Sequence, residues 1–114
     1  MLSDYLTRMV KVEVIVNAAD RSFVETLFRA EDVVGWTALP GLSGFGHGGR
    51  HEGRLLFNEQ MGQTMLITVV PEAKLEGIVA GLRALLETHA GVLFVSDAYV
   101  SRPMYFVNDA DGRD

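Results

Sequence analysis

The chain has 114 residues, 48% hydrophobic and 22% charged, with a formal charge of −5; this suits one globular domain, whereas two would each be too small to hold a core. Cysteine is absent, which removes disulfides, thiolate metal sites, iron–sulfur clusters and a cysteine nucleophile. The negative balance, with Lys and Arg scattered singly, argues against nucleic acid as a direct partner and leaves a small anionic ligand open.

No apolar run reaches the roughly 18 to 20 residues of a membrane span, and the first residues lack the charged start and apolar stretch of a signal peptide, so a cytoplasmic protein is expected. From Arg8 to Val16 the chain alternates, with Val10, Val12, Val14 and Val16 on one side and Met9, Lys11, Glu13 and Ile15 on the other, the pattern of a half-buried strand. Asp20 or Ser22 then offers a helix N-cap, and Ser22 with Glu25 has capping-box spacing ahead of Phe23, Leu27, Phe28 and Val34. Gly35 is placed to end this helix. Trp36 to Leu39 reads as a short second strand closed by Pro40.

Thr64 to Val70 is rich in β-branched residues, and Pro71 with Glu72 marks the first turn of a second helix. Leu75, Ile78, Val79, Leu82, Leu85 and Leu86 fall at i, i+3, i+4, i+7, i+10 and i+11, one apolar stripe that runs out at His89, Ala90 and Gly91. Val92 to Val100 is the fourth strand, read with Val92, Phe94, Ala98 and Val100 on one face and Leu93, Val95, Asp97 and Tyr99 on the other. From Asn108 the chain is polar and acidic, and a disordered tail over 108–114 is expected. The order β-α-β-β-α-β predicts a ferredoxin-like α+β domain over 1–107, a four-stranded antiparallel sheet with both helices on one face. The uncovered face would carry Met9, Ile15, Leu93, Val95 and Tyr99, with Lys11, Glu13 and Asp97 among them, an apolar area that implies burial in an oligomer.

Eight of the 12 glycines lie between Gly35 and Gly62. Such a segment can turn successive N–H groups inward as an anion nest, or can be a flexible hairpin loop. Gly44, Gly46 and Gly49 satisfy G-x-G-x-x-G, but between two strands of a hairpin, whereas the dinucleotide fingerprint runs from a strand into a helix. Arg50 and Arg54 are the cations nearest the nest, able to grip phosphate or carboxylate bidentately or simply to be solvated; Arg102, beyond the fourth strand, is a third. His47, His51 and Glu52 raise a metal site, yet pairing histidines at i, i+4 needs a helix that Gly48 and Gly49 oppose. Ser43 has no identifiable base or orienting acid, so no catalytic residue is assigned and binding ranks ahead of catalysis.

Gly35 to Leu39, then Ser43 to Gly46, then Ile67 to Glu72, and finally Leu93 to Ala98 resemble, in order and spacing, the landmarks of PII signal-transduction proteins. The likeness runs from Val10 to Arg102 and is closest to the divergent PII-like group that includes regulators of inorganic-carbon uptake and of carboxysomes. It implies a homotrimer with adenine nucleotide in three clefts between subunits, and a loop, here 41–63, that docks on a target protein according to the ligand. By that resemblance Thr37 lies near the adenine, Gly44, Phe45, Gly46 and His47 hold phosphate, Ala90, Gly91 and Val92 form the second lip, and Arg102 is the C-terminal cation.

The family's loop arginine is replaced by His47, its glutamine by Gly48 and its second-lip lysine by Val92, and no tyrosine stands between Gly46 and Thr64. Fewer cations imply ADP or AMP in preference to ATP, and argue against 2-oxoglutarate. The group also suggests bicarbonate, facing Arg50 or Arg54, as a second ligand. Neither a metal nor a cofactor is expected. Two competing readings are a metal-binding trimer of the CutA type and a small ferredoxin-like enzyme acting on a phosphorylated substrate.

Overall fold

The computed structural model describes residues 1–43 and 62–107. Its elements are β1 (Thr7–Asn17), α1 (Arg21–Ala30), β2 (Thr37–Leu42), β3 (Gln63–Val70), α2 (Leu75–Leu86) and β4 (Gly91–Val100). Each helix is led in by a 3-10 turn, Ala18–Asp20 and Glu72–Lys74. The sheet order is β2-β3-β1-β4 and every pairing is antiparallel, the split βαβ arrangement expected from the element order.

The alternation of β1 becomes a layered core. Val12, Val14 and Val16 are fully buried with Leu66 of β3, beneath Val24 and Phe28 of α1 and Ile78 and Leu82 of α2. Burying each such side chain stabilises the fold by about 1.5–3 kcal/mol relative to exposure. Gly77 and Gly81 flank the α2 stripe on the side where α1 passes close by. A Cβ on Gly81 would stand 2.5 Å from Leu27 Cδ1, and one on Gly77 would stand 2.2 Å from Glu31 Oε1.

Three local expectations are corrected. The first helix ends at Ala30, five residues before Gly35: Asp32 takes the left-handed conformation at φ 61°, and Asp32 N and Val33 N donate to Arg29 O and Phe28 O at 3.1 and 2.9 Å. This is a Schellman stop with aspartate where glycine is usual. Asp20 stands at the N-cap of α1 but makes no side-chain capping hydrogen bond; Glu25 is engaged elsewhere. The second strand does not close at Pro40 but continues to Leu42, with a register shift between Leu39 and Leu42, which an edge strand tolerates because its outer groups need no partner.

The fourth strand is also turned over relative to the sequence reading. Leu93 stands opposite Val14, Val95 opposite Val12 and Asp97 opposite Val10, and residues paired across a ladder share a face. Leu93, Val95, Asp97 and Tyr99 therefore lie on the helix side, where Leu93 packs on the core and Arg8 donates to Asp97 at 2.8 Å and to Glu72 at 3.1 Å. These two carboxylates, Asp97 foremost, hold the Arg8 pKa above its ordinary value. The open face instead carries Val92 and Phe94, which stand opposite Ile15 and Glu13, together with Leu39, Met65, Ile67 and Val69. Met9 is already buried within the chain, at 5% exposure, and Lys11 pairs with Glu13 at 3.8 Å.

Candidate functional site

Where β2 enters the sheet, Gly35, Trp36 and Thr37 line a cleft of about 300 Å³ with Ile67, Thr68 and Val69 of β3 and Phe106. Thr37 pairs with Ile67, so both side chains project from the open face. Phe106 arrives because the chain turns after β4 into a 3-10 segment, Pro103–Phe106. The result is a cleft with mostly apolar walls and two hydroxyls, Thr37 and Thr68, the second already donated to Gly35 O. At Gly35 an added Cβ would meet nothing within 4 Å.

The cleft's β2 wall is tied down from the core side. Thr68, 3% exposed, donates its hydroxyl to Gly35 O at 2.7 Å. Trp36 sends its indole N–H to Glu25 Oε2 at 3.1 Å, and Arg21 Nε donates to the same oxygen at 3.1 Å. The Trp36 hydrogen bond first, then that of Arg21, lowers the Glu25 pKa below its ordinary value. Trp36 meets Phe28 edge to face at 5.5 Å between centroids, and the Arg29 guanidinium lies 5.2 Å from its ring.

The other expected lip is not here. Ala90, Gly91 and Val92 sit at the start of β4, on the opposite edge of the sheet, three strand spacings and thus roughly 14 Å from β2. Gly91 is dictated by packing: a Cβ there would lie 2.7 Å from Ile15 O and 2.6 Å from Leu86 Cδ2. Arg102 is exposed and interacts with Tyr105, donating to its hydroxyl at 3.3 Å with the guanidinium 5.9 Å from the ring. One chain therefore brings Thr37 to the cleft, places Arg102 four residues before Phe106, and leaves Ala90 to Val92 apart.

Gly44, Phe45, Gly46, His47, Arg50 and Arg54, with His51 and Glu52, lie outside the described residues, as does the tail 108–114. The strands that carry this segment close on each other through two glycines. Gly41 and Gly62 have φ 74° and 77°, and a Cβ on Gly62 would lie 4.0 Å from Gly41 Cα. Next to them Gln63 is 5% exposed and, among the described residues, its Nε2 has no hydrogen-bond partner.

Sequence reasoning missed Phe106, Gln63 and the role of Glu25. Phe106 lies beyond the last periodic element, and the signal for Gln63 was only a polar residue at a strand start. A larger groove of about 510 Å³ runs along α2, lined by Glu72, Leu75, Glu76, Val79, Ala80 and Arg83; it lies in the helix layer, shares no residue with the Thr37 cleft and offers one cation against two acids. Among the described residues, no group of three or more His, Asp or Glu side chains is placed to hold a metal ion, and no helix is long and apolar enough to cross a membrane.

The family model described as nitrogen regulatory protein P-II matches residues 9–105. Among solved structures, the chain is similar to CPII, a nitrogen regulatory PII-like protein from Thiomonas intermedia K12 bound to ADP, AMP and bicarbonate, at 38% identity and a TM-score of 0.78, over 90% of this chain and 97% of that one. CPII bound to ADP, AMP and acetate matches at 34% identity with a TM-score of 0.76, over 90% and 98% of the two chains. GlnK of B. subtilis in complex with ATP shares the fold at 17% identity, with a TM-score of 0.59, over 80% of this chain and 82% of that one. No match is found among curated proteins.

Proposed function

This chain belongs to the nitrogen regulatory protein P-II family, and from that premise we propose that it is a homotrimeric PII-like regulator and not an enzyme. It binds adenine nucleotide, ADP or AMP in preference to ATP, in clefts between subunits, and signals to a target protein through the segment 41–63.

The observation that carries this reading is the division of the site across the sheet. Thr37, Ile67, Val69 and Phe106 line one lip on the open face, while Ala90, Gly91 and Val92 stand on the far edge strand. A second copy that covers the exposed Val92 and Phe94, 40% and 52% accessible, would bring its lip to the first. An apolar sheet face and a half-built cleft are then resolved by one assembly.

The ligand preference follows from charge. Arg102 is the single cation that the family's pattern assigns among the described residues, and each phosphate needs its own donors. The CPII relative, bound to ADP and AMP with bicarbonate or acetate, supports the less phosphorylated nucleotides and adds a small anion of carboxylate shape, for which Arg50 and Arg54 are the candidates. Loop ordering on binding is a population shift between surfaces that a partner can distinguish.

The test is calorimetric titration with ATP, ADP, AMP and cyclic AMP, each with and without bicarbonate or acetate, alongside sedimentation equilibrium. ADP or AMP should bind more tightly than ATP to a trimer. A monomer, or a trimer that no adenine nucleotide titrates, overturns the reading.

A further inference from the structure

β2 forms one lip of the cleft, yet it is an edge strand with a weak ladder. Its regular pairing runs only from Thr37 to Leu39, before the shift around Pro40 and Gly41. Backbone pairing on one side over so few residues holds a strand end poorly. The first residues of β2 are held instead through side chains that reach the core layer. Trp36 is the central one, since its indole reaches Glu25 and Phe28 of α1 while the next residue, Thr37, pairs with Ile67 in the sheet.

On α1, Arg21, Glu25, Phe28 and Arg29 lie at i, i+4, i+7 and i+8, one helix face; the last three meet this indole and Arg21 reaches it through Glu25. Phe28 supplies an edge contact and Arg29 lies near the ring at 5.2 Å, but neither fixes the direction of the N–H. Glu25 does so, with Arg21 holding the same oxygen in place at 3.1 Å. A carboxylate in a capping box would face the start of its own helix; this one reaches 11 residues along the chain to the strand.

We infer that Glu25 is a positioning residue for the nucleotide cleft: by holding the Trp36 indole against α1 it fixes the backbone of Gly35, Trp36 and Thr37, and with it the Thr37 hydroxyl against Ile67. Glu25 touches no ligand. It acts through Trp36, which lines the cleft, while Glu25 itself does not. This rests on the nucleotide reading proposed above.

ADP affinity is measured by calorimetry at one temperature for the wild type, Glu25→Ala, Glu25→Gln, Trp36→Phe and the Glu25→Ala/Trp36→Phe double variant. Trp36 is the chain's one tryptophan, so acrylamide quenching of its emission reports separately on the anchor. Glu25→Ala should weaken ADP by about five- to tenfold, the value of one directional hydrogen bond expressed as affinity, and should raise quenching. Glu25→Gln, which keeps an accepting oxygen, should restore most of the affinity. The double variant should bind no worse than the weaker single one, because both changes break one link.

Wild-type affinity in Glu25→Ala with quenching raised shows an anchor that the cleft ignores, and overturns the inference while leaving nucleotide binding intact. Unchanged quenching, or additive losses in the double variant, overturns it as well. If Glu25→Ala fails to fold, Glu25→Leu, which removes the accepting oxygens, fills most of their space and leaves Trp36 in place, carries the same decision by affinity and by quenching. Absence of ADP binding by the wild type overturns the nucleotide reading itself, and this inference with it.

Discussion

Phe94 stands directly opposite Glu13 across the β1–β4 ladder, on the face no helix covers, and remains 52% exposed. If that face is the trimer's interior, a charge there should dissolve the assembly. Phe94→Lys is the informative change, because Glu13 offers the new cation a partner in its own chain and so protects the monomer fold. Sedimentation should show monomers with unchanged circular dichroism, and ADP affinity should fall with the lost second lip.

Phe106→Ala should weaken ADP or AMP binding by about 0.5–1.5 kcal/mol, the worth of one aromatic contact, without altering oligomeric state. Titration calorimetry and sedimentation on the same sample would check both halves. An unchanged affinity would remove Phe106 from the cleft.

Gly91→Ala should destabilise the fold by about 1–3 kcal/mol, the usual range for overpacking. The new methyl group would press on Ile15 O, which belongs to the β1 backbone and cannot turn aside as a side chain could. Urea denaturation measures this directly.

Asp32→Gly should act in the opposite direction. At φ 61° an L-residue is strained, and glycine relieves roughly 1 kcal/mol of that at some cost in unfolded-chain entropy. A rise in the urea midpoint is expected. A fall would mean that the Asp32 side chain stabilises the turn in a way the backbone does not reveal.

Glu25 also predicts a pH dependence. Its pKa is lowered in the folded protein, by the Trp36 hydrogen bond first and Arg21 second. Its contribution is therefore complete above the ordinary value of 4.5 and is lost as pH falls through the lower folded value. Stability should decline in acid more steeply for the wild type than for Glu25→Gln, whose amide does not titrate. Denaturation midpoints for the two proteins across the acid range decide it.

Much of this was legible in residue order. Four alternating valines made β1, a 3.6-residue stripe made α2, and the succession of elements made the ferredoxin-like topology, because such periodicities record burial on one side of a regular element. Gly35, Trp36 and Thr37 could be matched to a family landmark without coordinates. The stop of α1 could not be foreseen, since Gly35 was the better glycine and Asp32 was held left-handed by a hydrogen-bond pattern that its own identity does not announce. β4 was illegible in another way: it is apolar at both parities, Val92 and Phe94 against Leu93 and Val95, so alternation alone could not say which set faces the helices.

Sequence by itself determined the elements, their order and the family, since each depends on local pattern or on matched residues. The tertiary structure decided which side of β4 joins the core, because the ladder to β1 sets Leu93 against Val14. It also decided that Glu25 serves Trp36 and that Phe106 returns to Thr37. Those relationships join residues 11 and 69 positions apart, and no periodicity within a single element encodes a contact between elements.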